Sequence, residues 1–304
     1  MKSVVLVNYG GPEKTSQIRD YVYRLLSDRN VIQLPAGRIY QSVLARIISR
    51  LRAKKLKKNY KAIGGSPVLS ISESLVRKLN QKGKHRYYTA MAFTPPYILD
   101  VLESISEEKI FIFPLFPHFS RVTTGLCLSL AAKSKKRIYY LREYWSDPKF
   151  NSLIVKRIKD TVPENEKVAV LLSAHSIPLK YAEKGDPYLE SIHSHFALLK
   201  NSLPGYSLFL FFQSKIGPLK WAGPELGEVL PVIKKKGFKR LVLYPLSFVV
   251  DNYETRFEID IFYRDDIICK SNLSFKRIPC LNDSEEFVSF VEKMTDEEKW
   301  LELV

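Results

Sequence analysis

Val168–Pro178 reads VAVLLSAHSIP, seven apolar or small residues running straight into a histidine. A strand covered by helices on both faces is apolar without alternation, whereas a half-exposed strand alternates. This run is of the first kind. Val4–Tyr9, Tyr87–Phe93, Lys109–Phe116, Ile138–Tyr144, Tyr206–Gln213 and Leu241–Phe248 are similar. Between them lie charged stretches with helical spacing, such as Lys14–Leu26 and Gly223–Lys236. Strands alternating with helices imply right-handed βαβ units and an α/β fold.

The two halves echo one another. Val4–Tyr9 leads into Gly10-Gly11-Pro12, and Val168–Ala174 into His175-Ser176-Ile177-Pro178. Phe113-Pro114-Leu115-Phe116 resembles Leu243-Tyr244-Pro245-Leu246. The expected architecture is two similar doubly wound, Rossmann-like domains with parallel sheets, residues 1–145 and 146–304, the last helix packing back on the first. Ligands of such sheets sit beyond the carboxyl ends of the strands, and a cleft between halves is a natural pocket. The residues to watch therefore follow the runs: Tyr9, His118, His175, Gln213 and the stretch from Asp251 to Glu258.

The 304 residues are 45% hydrophobic and 26% charged, a globular composition. Cys127, Cys269 and Cys280 are far apart, which supports neither a zinc site nor an iron–sulfur cluster, and fits a reducing compartment. No apolar run reaches bilayer length. Met1-Lys2-Ser3 leads directly into a strand, which reads as core and not as a signal peptide, so a cytoplasmic location is expected. The net charge is +16. Its basic clusters, Arg52–Lys58, Lys133–Arg137 and Lys234–Arg240, are not interleaved with aromatics, so no nucleic-acid partner is expected. An ordinary basic surface, an anionic membrane surface or a carboxylate-bearing substrate remain.

An imidazole at the end of a strand, as His175 would be, can bind a metal or move a proton near neutral pH, or simply tie down a loop. Asp251, Glu254 and Glu258 are three and four residues apart. If the chain is helical from Asn252, they share one face. Such a stripe is either a solvated acidic face or a set of oxygen ligands for a divalent cation or for protons. Tyr9 precedes a glycine turn, and Gly64-Gly65-Ser66-Pro67 after Tyr60 is a second tight loop. Neither has dinucleotide spacing. His118 falls at a strand rim. His193 and His195 do not share a helix face and are read as surface residues, and His85 as a loop residue.

Taken together, these segments resemble the ferrochelatases. The matching stretches are Val5–Glu13 (VLVNYGGPE), Leu26–Pro35 (LSDRNVIQLP), Tyr60–Pro67 (YKAIGGSP) and Phe113–Gly125 (FPLFPHFSRVTTG). They continue through Leu172–Pro187 (LSAHSIPLKYAEKGDP), Gln213–Pro224 (QSKIGPLKWAGP), Pro245–Tyr263 (PLSFVVDNYETRFEIDIFY) and Pro279–Phe287 (PCLNDSEEF). The resemblance implies a chelatase-like fold with a porphyrin cleft between two domains. It also implies insertion of Fe(II) into coproporphyrin III or protoporphyrin IX in heme biosynthesis. Iron and porphyrin would both be substrates, with no cofactor and no cluster.

By resemblance His175 and Glu254 match the metal-handling histidine and glutamate, and Asp251 and Glu258 match acids leading toward them. Tyr9 falls where some members acting on coproporphyrin carry a tyrosine facing the metal. Tyr60, Ser66, Arg29 and His118 are the expected porphyrin contacts. Two departures stand out: Asn252 replaces a frequent histidine, and Met91–Pro96 replaces an aromatic-rich stretch. Peripheral membrane association, and a monomer or homodimer, are expected. The competing readings are a cobalt or nickel tetrapyrrole chelatase, which commonly uses two histidines, and a non-catalytic porphyrin carrier, which would not need Glu254.

Overall fold

The computed structural model describes residues 1–29, 31, 37–164, 166–215, 219–268, 271–297 and 299–303. Positions 30 and 32–35 of the Leu26–Pro35 motif, 216–218 of the Gln213–Pro224 motif, and Cys269 lie outside them.

The chain divides into two compact units. The first holds Met1–Phe116, Ser120–Arg142 and Asp283–Val304; the second holds Pro117–Phe119 and Glu143–Asn282. Against an expected division at 145/146, residues 117–119 and 143–145 go with the second unit. The final helix, Glu285–Asp296, and final strand, Leu301–Glu302, go with the first.

All seven apolar runs form strands. In the first unit they are β1 (Ser3–Asn8), β2 (Arg86–Met91), β3 (Lys109–Pro114) and β4 (Arg137–Tyr140), in the order β2-β1-β3-β4, all parallel. Leu301–Glu302 closes the β4 edge antiparallel. Val5, Val7, Ala90, Ile110 and Ile112 form the sheet's share of the core on one face, packed with Ile98, Leu102 and Cys127 from the helices there.

The second unit has a four-stranded sheet, β6-β5-β7-β8, parallel throughout. Its strands are β5 (Val168–His175), β6 (Ser207–Gln213), β7 (Arg240–Pro245) and β8 (Ser274–Arg277). Seven of the eight residues of β5 are buried, and only His175 at its end is partly exposed. That is the physical reason the run shows no alternation.

The Gly10-Gly11 turn after β1 is required by packing. Gly10 has φ +78°, and a Cβ on Gly11 would lie 2.3 Å from Ser66 Oγ.

Candidate active site

His175 ends β5 at the carboxyl rim of the second sheet, where a βα fold presents its chemistry. Its Nδ1–H donates to the carbonyl of Ser176 at 2.6 Å. A carbonyl can only accept, so that bond fixes the tautomer and leaves Nε2 to take a proton or a metal. Phe248 meets the ring edge-on, with centroids 6.4 Å apart.

The acidic segment follows β7. The helix there, Glu254–Ile268, is a π-helix, the wider form that recurs at functional sites. Asn252 starts it. Asn252 Oδ1 accepts from Thr255 N at 2.9 Å, and Thr255 Oγ1 accepts from Asn252 N at 2.9 Å. The asparagine that replaces a frequent histidine is thus a helix cap, a role that an amide fills well.

Glu254 is half-buried at the first turn. Burial raises its pKa above the ordinary carboxylate value; the nearby His175 partly offsets this, and the Glu258 charge adds to it. The two residues that the sequence pairs therefore feel one another electrostatically. Glu258, one turn on, is held by four donors. Ser214 N (3.0 Å) and Tyr263 Oη (3.1 Å) reach Oε1, while Gln213 Nε2 (3.2 Å) and the Ser214 hydroxyl reach Oε2. Ser214 is in the left-handed region at φ +70°, which turns both its amide and its hydroxyl toward the carboxylate.

Asp251 does not join this stripe, which corrects the expectation of three acids on one face. It precedes the helix and is 1% exposed. Its Oδ1 accepts from Arg277 Nη1 at 2.7 Å, and its Oδ2 from Asn282 Nδ2 at 3.3 Å. Burial alone would raise its pKa, but the Arg277 charge, a hydrogen bond from Cys280 and the Arg256 charge outweigh it and hold it below the usual value. Among the described residues no cluster of three or more His, Cys, Asp or Glu forms a ready-made metal cage.

The expected porphyrin contacts are placed less uniformly. Tyr60 and Ser66 are buried in the first unit, where Tyr60 O accepts from Gly65 N and Ser66 N donates to Pro12 O. These backbone bonds hold the glycine loops together, and the two residues are 5% and 6% exposed. The Tyr9 hydroxyl donates to the carbonyl of Val122, and its ring lies edge-on to Phe93 and Phe116. Arg29 is half-buried, and its Nη1 is shielded from solvent with no hydrogen-bond partner among the described residues.

His118 is 1% exposed, and His195, expected on the surface, is 0% exposed, whereas His193 is exposed. Two residues apart on a helix point in different directions, so one faces inward. Asn151 Nδ2 donates to the carbonyls of Trp145 (2.7 Å) and Asp147 (2.9 Å), which turns Asn151 Oδ1 toward His195 Nε2 at 3.0 Å. His195 Nδ1 must then accept from His118 Nε2, 2.8 Å away. Both rings are neutral. Burial pushes the His195 pKa down to about 3, and burial plus the His195 charge pushes His118 well below the imidazole range.

A base with a depressed folded-state pKa binds more protons unfolded, so stability falls as pH drops below the unfolded value of about 6.5. The pair should remove up to about 4 kcal/mol from the second unit between pH 7 and pH 5. Urea unfolding at the two pH values measures this. Equal midpoints would show that the rings are not buried as neutral groups.

Similar folds are known. The chain aligns over 98% of its length with the Deinococcus radiodurans protein DR2241, described as structurally similar to chelatases, at TM-score 0.58 and 12% identity, spanning 56% of that chain. It aligns over 97% with SirB from Bacillus subtilis, solved with Fe3+, at TM-score 0.55 and 14% identity, covering 96% of it. At these identities the likeness is one of fold.

The family match shows the class, a metal chelatase. Within that class, residues 1–299 match the family model described as Ferrochelatase, and the chain belongs to the ferrochelatase family. It is 34% identical to the ferrochelatase of Campylobacter fetus subsp. fetus (95% of this chain, 97% of the relative). It is 36% identical to that of Desulfotalea psychrophila (94% and 93%) and 32% identical to that of Aquifex aeolicus (98% and 99%). Its reaction is insertion of ferrous iron into a porphyrin in heme biosynthesis, a lyase activity.

Proposed function

We propose that His175 and Glu254 carry out this metallation. Two pyrrole N–H bonds break, the iron is bound by all four ring nitrogens, and two protons leave. His175 Nε2 accepts a proton or ligates the iron. Imidazole with carboxylate suits Fe(II). Glu254 serves as the second acceptor or ligand. Glu258, with both oxygens already engaged by donors, is held in place one turn after Glu254. Asp251 stabilises the segment and is not a ligand. Fe(II) and porphyrin are both substrates, and the scheme requires no cofactor. The observation that carries this reading is the placement of His175 at the carboxyl end of β5 within electrostatic reach of Glu254, which opens the helix after β7; burial raises that carboxyl's pKa and His175 pulls it back down.

Arg29, whose solvent-shielded Nη1 has no partner among the described residues, is the proposed partner for a porphyrin carboxylate. Coproporphyrin III is the proposed substrate, on the resemblance at Tyr9. The test is ferrous-iron insertion by purified protein with coproporphyrin III and protoporphyrin IX side by side, followed by visible absorption. Faster turnover of protoporphyrin IX would overturn the substrate assignment. No insertion into either would overturn the whole.

Glu254→Gln separates chemistry from stability. An acid whose folded-state pKa is raised contributes stability below its unfolded pKa and loses it as pH rises through the folded value. Glutamine has no charge to desolvate. The variant should insert iron at least about 100-fold more slowly, yet have a Tm at pH 7 no lower than the parent, and the difference in Tm should vanish near pH 4. A lower Tm at pH 7 with turnover retained would contradict both parts.

Cytoplasmic work at an anionic membrane surface is the proposed setting. Among the described residues no helix is long and apolar enough to cross a membrane. Helix Gly37–Ala62 buries Gln41, Ala45, Ser49 and Ala53, yet exposes Ile39, Val43, Ile47 and Leu51 among lysines and arginines, with no acidic residue. An apolar stripe in a basic helix suits a lipid headgroup layer.

A further inference from the structure

The backbone of His175 is held in an unusual way. In a parallel sheet a residue's N–H and C=O point to the same neighbour. The β5–β7 pairing ends at Ser173 and Pro245, with Leu246 N donating to Ser173 O. Two residues later, His175 should turn the same groups to the same side, but β7 has left. Two side chains take its place. His175 N donates to Ser247 Oγ at 3.0 Å, and the Tyr188 hydroxyl donates to His175 O at 3.0 Å. Both side chains are buried, Tyr188 at 5% and Ser247 at 7% exposure. On the other side Ser176 N still bonds Gln213 O of β6, so the histidine is gripped from both sides.

Tyr188 is itself held. It opens helix Tyr188–Ser202, its amide bonds Asp186 Oδ1 at 3.0 Å, and its ring lies edge-on to buried His118, with centroids 6.1 Å apart. A phenylalanine would satisfy that packing as well. What the hydroxyl adds is the bond to the His175 carbonyl and an interaction with the Ser247 side chain.

We propose that Tyr188 and Ser247 are positioning residues for His175, replacing the strand partner that β7 withdraws and setting where Nε2 stands relative to Glu254. The inference rests on the roles given to His175 and Glu254 above. An error of about 1 Å in a reacting group can cost on the order of 100-fold in rate, and substrate contacts elsewhere need not change.

The experiment is steady-state insertion by the full chain carrying Tyr188→Phe, Ser247→Ala or Ser247→Thr, with His175→Ala in parallel. In Tyr188→Phe, kcat should fall about 10- to 100-fold. KM for porphyrin and for iron should stay within about twofold, since neither residue is assigned a substrate contact. Ser247→Ala should behave alike, and Ser247→Thr, which keeps a hydroxyl, should recover most of the loss. If Tyr188→Phe does not fold, the serine pair decides. Unchanged kcat in both hydroxyl deletions, or a loss carried wholly by KM, would overturn the proposal. Full turnover in His175→Ala would instead remove the reading on which it rests.

Discussion

Replacing His175 with alanine should lower ferrous-iron insertion by two to four orders of magnitude, the range expected for loss of a positioned acid–base group. The fold should survive. The side chain makes one hydrogen bond, to the carbonyl of the next residue, and one edge-on contact with Phe248. The backbone bonds at this position belong to the peptide, not to the imidazole. Porphyrin binding should be retained within a few-fold, because the proposed carboxylate partner is Arg29 and apolar contact with a macrocycle does not depend on this imidazole. Fluorescence quenching of the porphyrin reads binding, and the visible spectrum reads insertion. If the variant binds and metallates normally, the assignment of His175 is wrong. If it neither binds nor unfolds cooperatively, the residue is structural.

The second large effect is on stability. Arg277 is 6% exposed at its side chain, and it pairs through Nη1 with Asp251 at 2.7 Å and through Nε and Nη2 with Asp260 at 2.7 and 2.8 Å. Replacing it with methionine keeps the bulk of the side chain, takes the Arg277 cation from both carboxylates and leaves Asp251 only the more distant Arg256, at 3.6 Å. Breaking a buried pair from one side costs about 3–5 kcal/mol. The pH dependence identifies the cause. In the parent, Asp251 has a depressed pKa, so its contribution is present above the unfolded value of about 3.9 and is lost only as pH falls through the folded value. In the variant, burial is no longer balanced by Arg277, and the Asp251 pKa rises. Protonation then relieves the buried charge, and the deficit should narrow as pH is lowered from 7 toward 4.5. Urea unfolding at both values measures it, and a deficit constant with pH would point to lost packing in place of lost pairing.

Arg277 also shows where reading residues in order runs short. It sits in β8, four residues long, whose sequence Ser-Phe-Lys-Arg has alternating half-buried positions but no apolar run. Its partners are 26 and 17 residues away. Nothing local marks Asp251 as claimed by an arginine on a neighbouring strand. Spacing and the family resemblance therefore group the acid with Glu254 and Glu258. His195 misleads in the same way: H-x-H spacing shows only that two rings diverge, and burial of one depends on Asn151 and His118, which are distant in the chain.

What the order of residues determined is the α/β class, the seven main strands, the family, and the placement of His175 and Glu254 at the ends of elements. Those features follow from short-range pattern, since doubly covered strands must be continuously apolar and rim residues must follow them. What only tertiary structure decided is which polar groups are already committed. Asp251 is spent on Arg277, Glu258 is fixed by its four donors, and the peptide of His175 is gripped by Tyr188 and Ser247. A side chain's chemistry depends on which partners saturate it, and those partners are brought to it by packing.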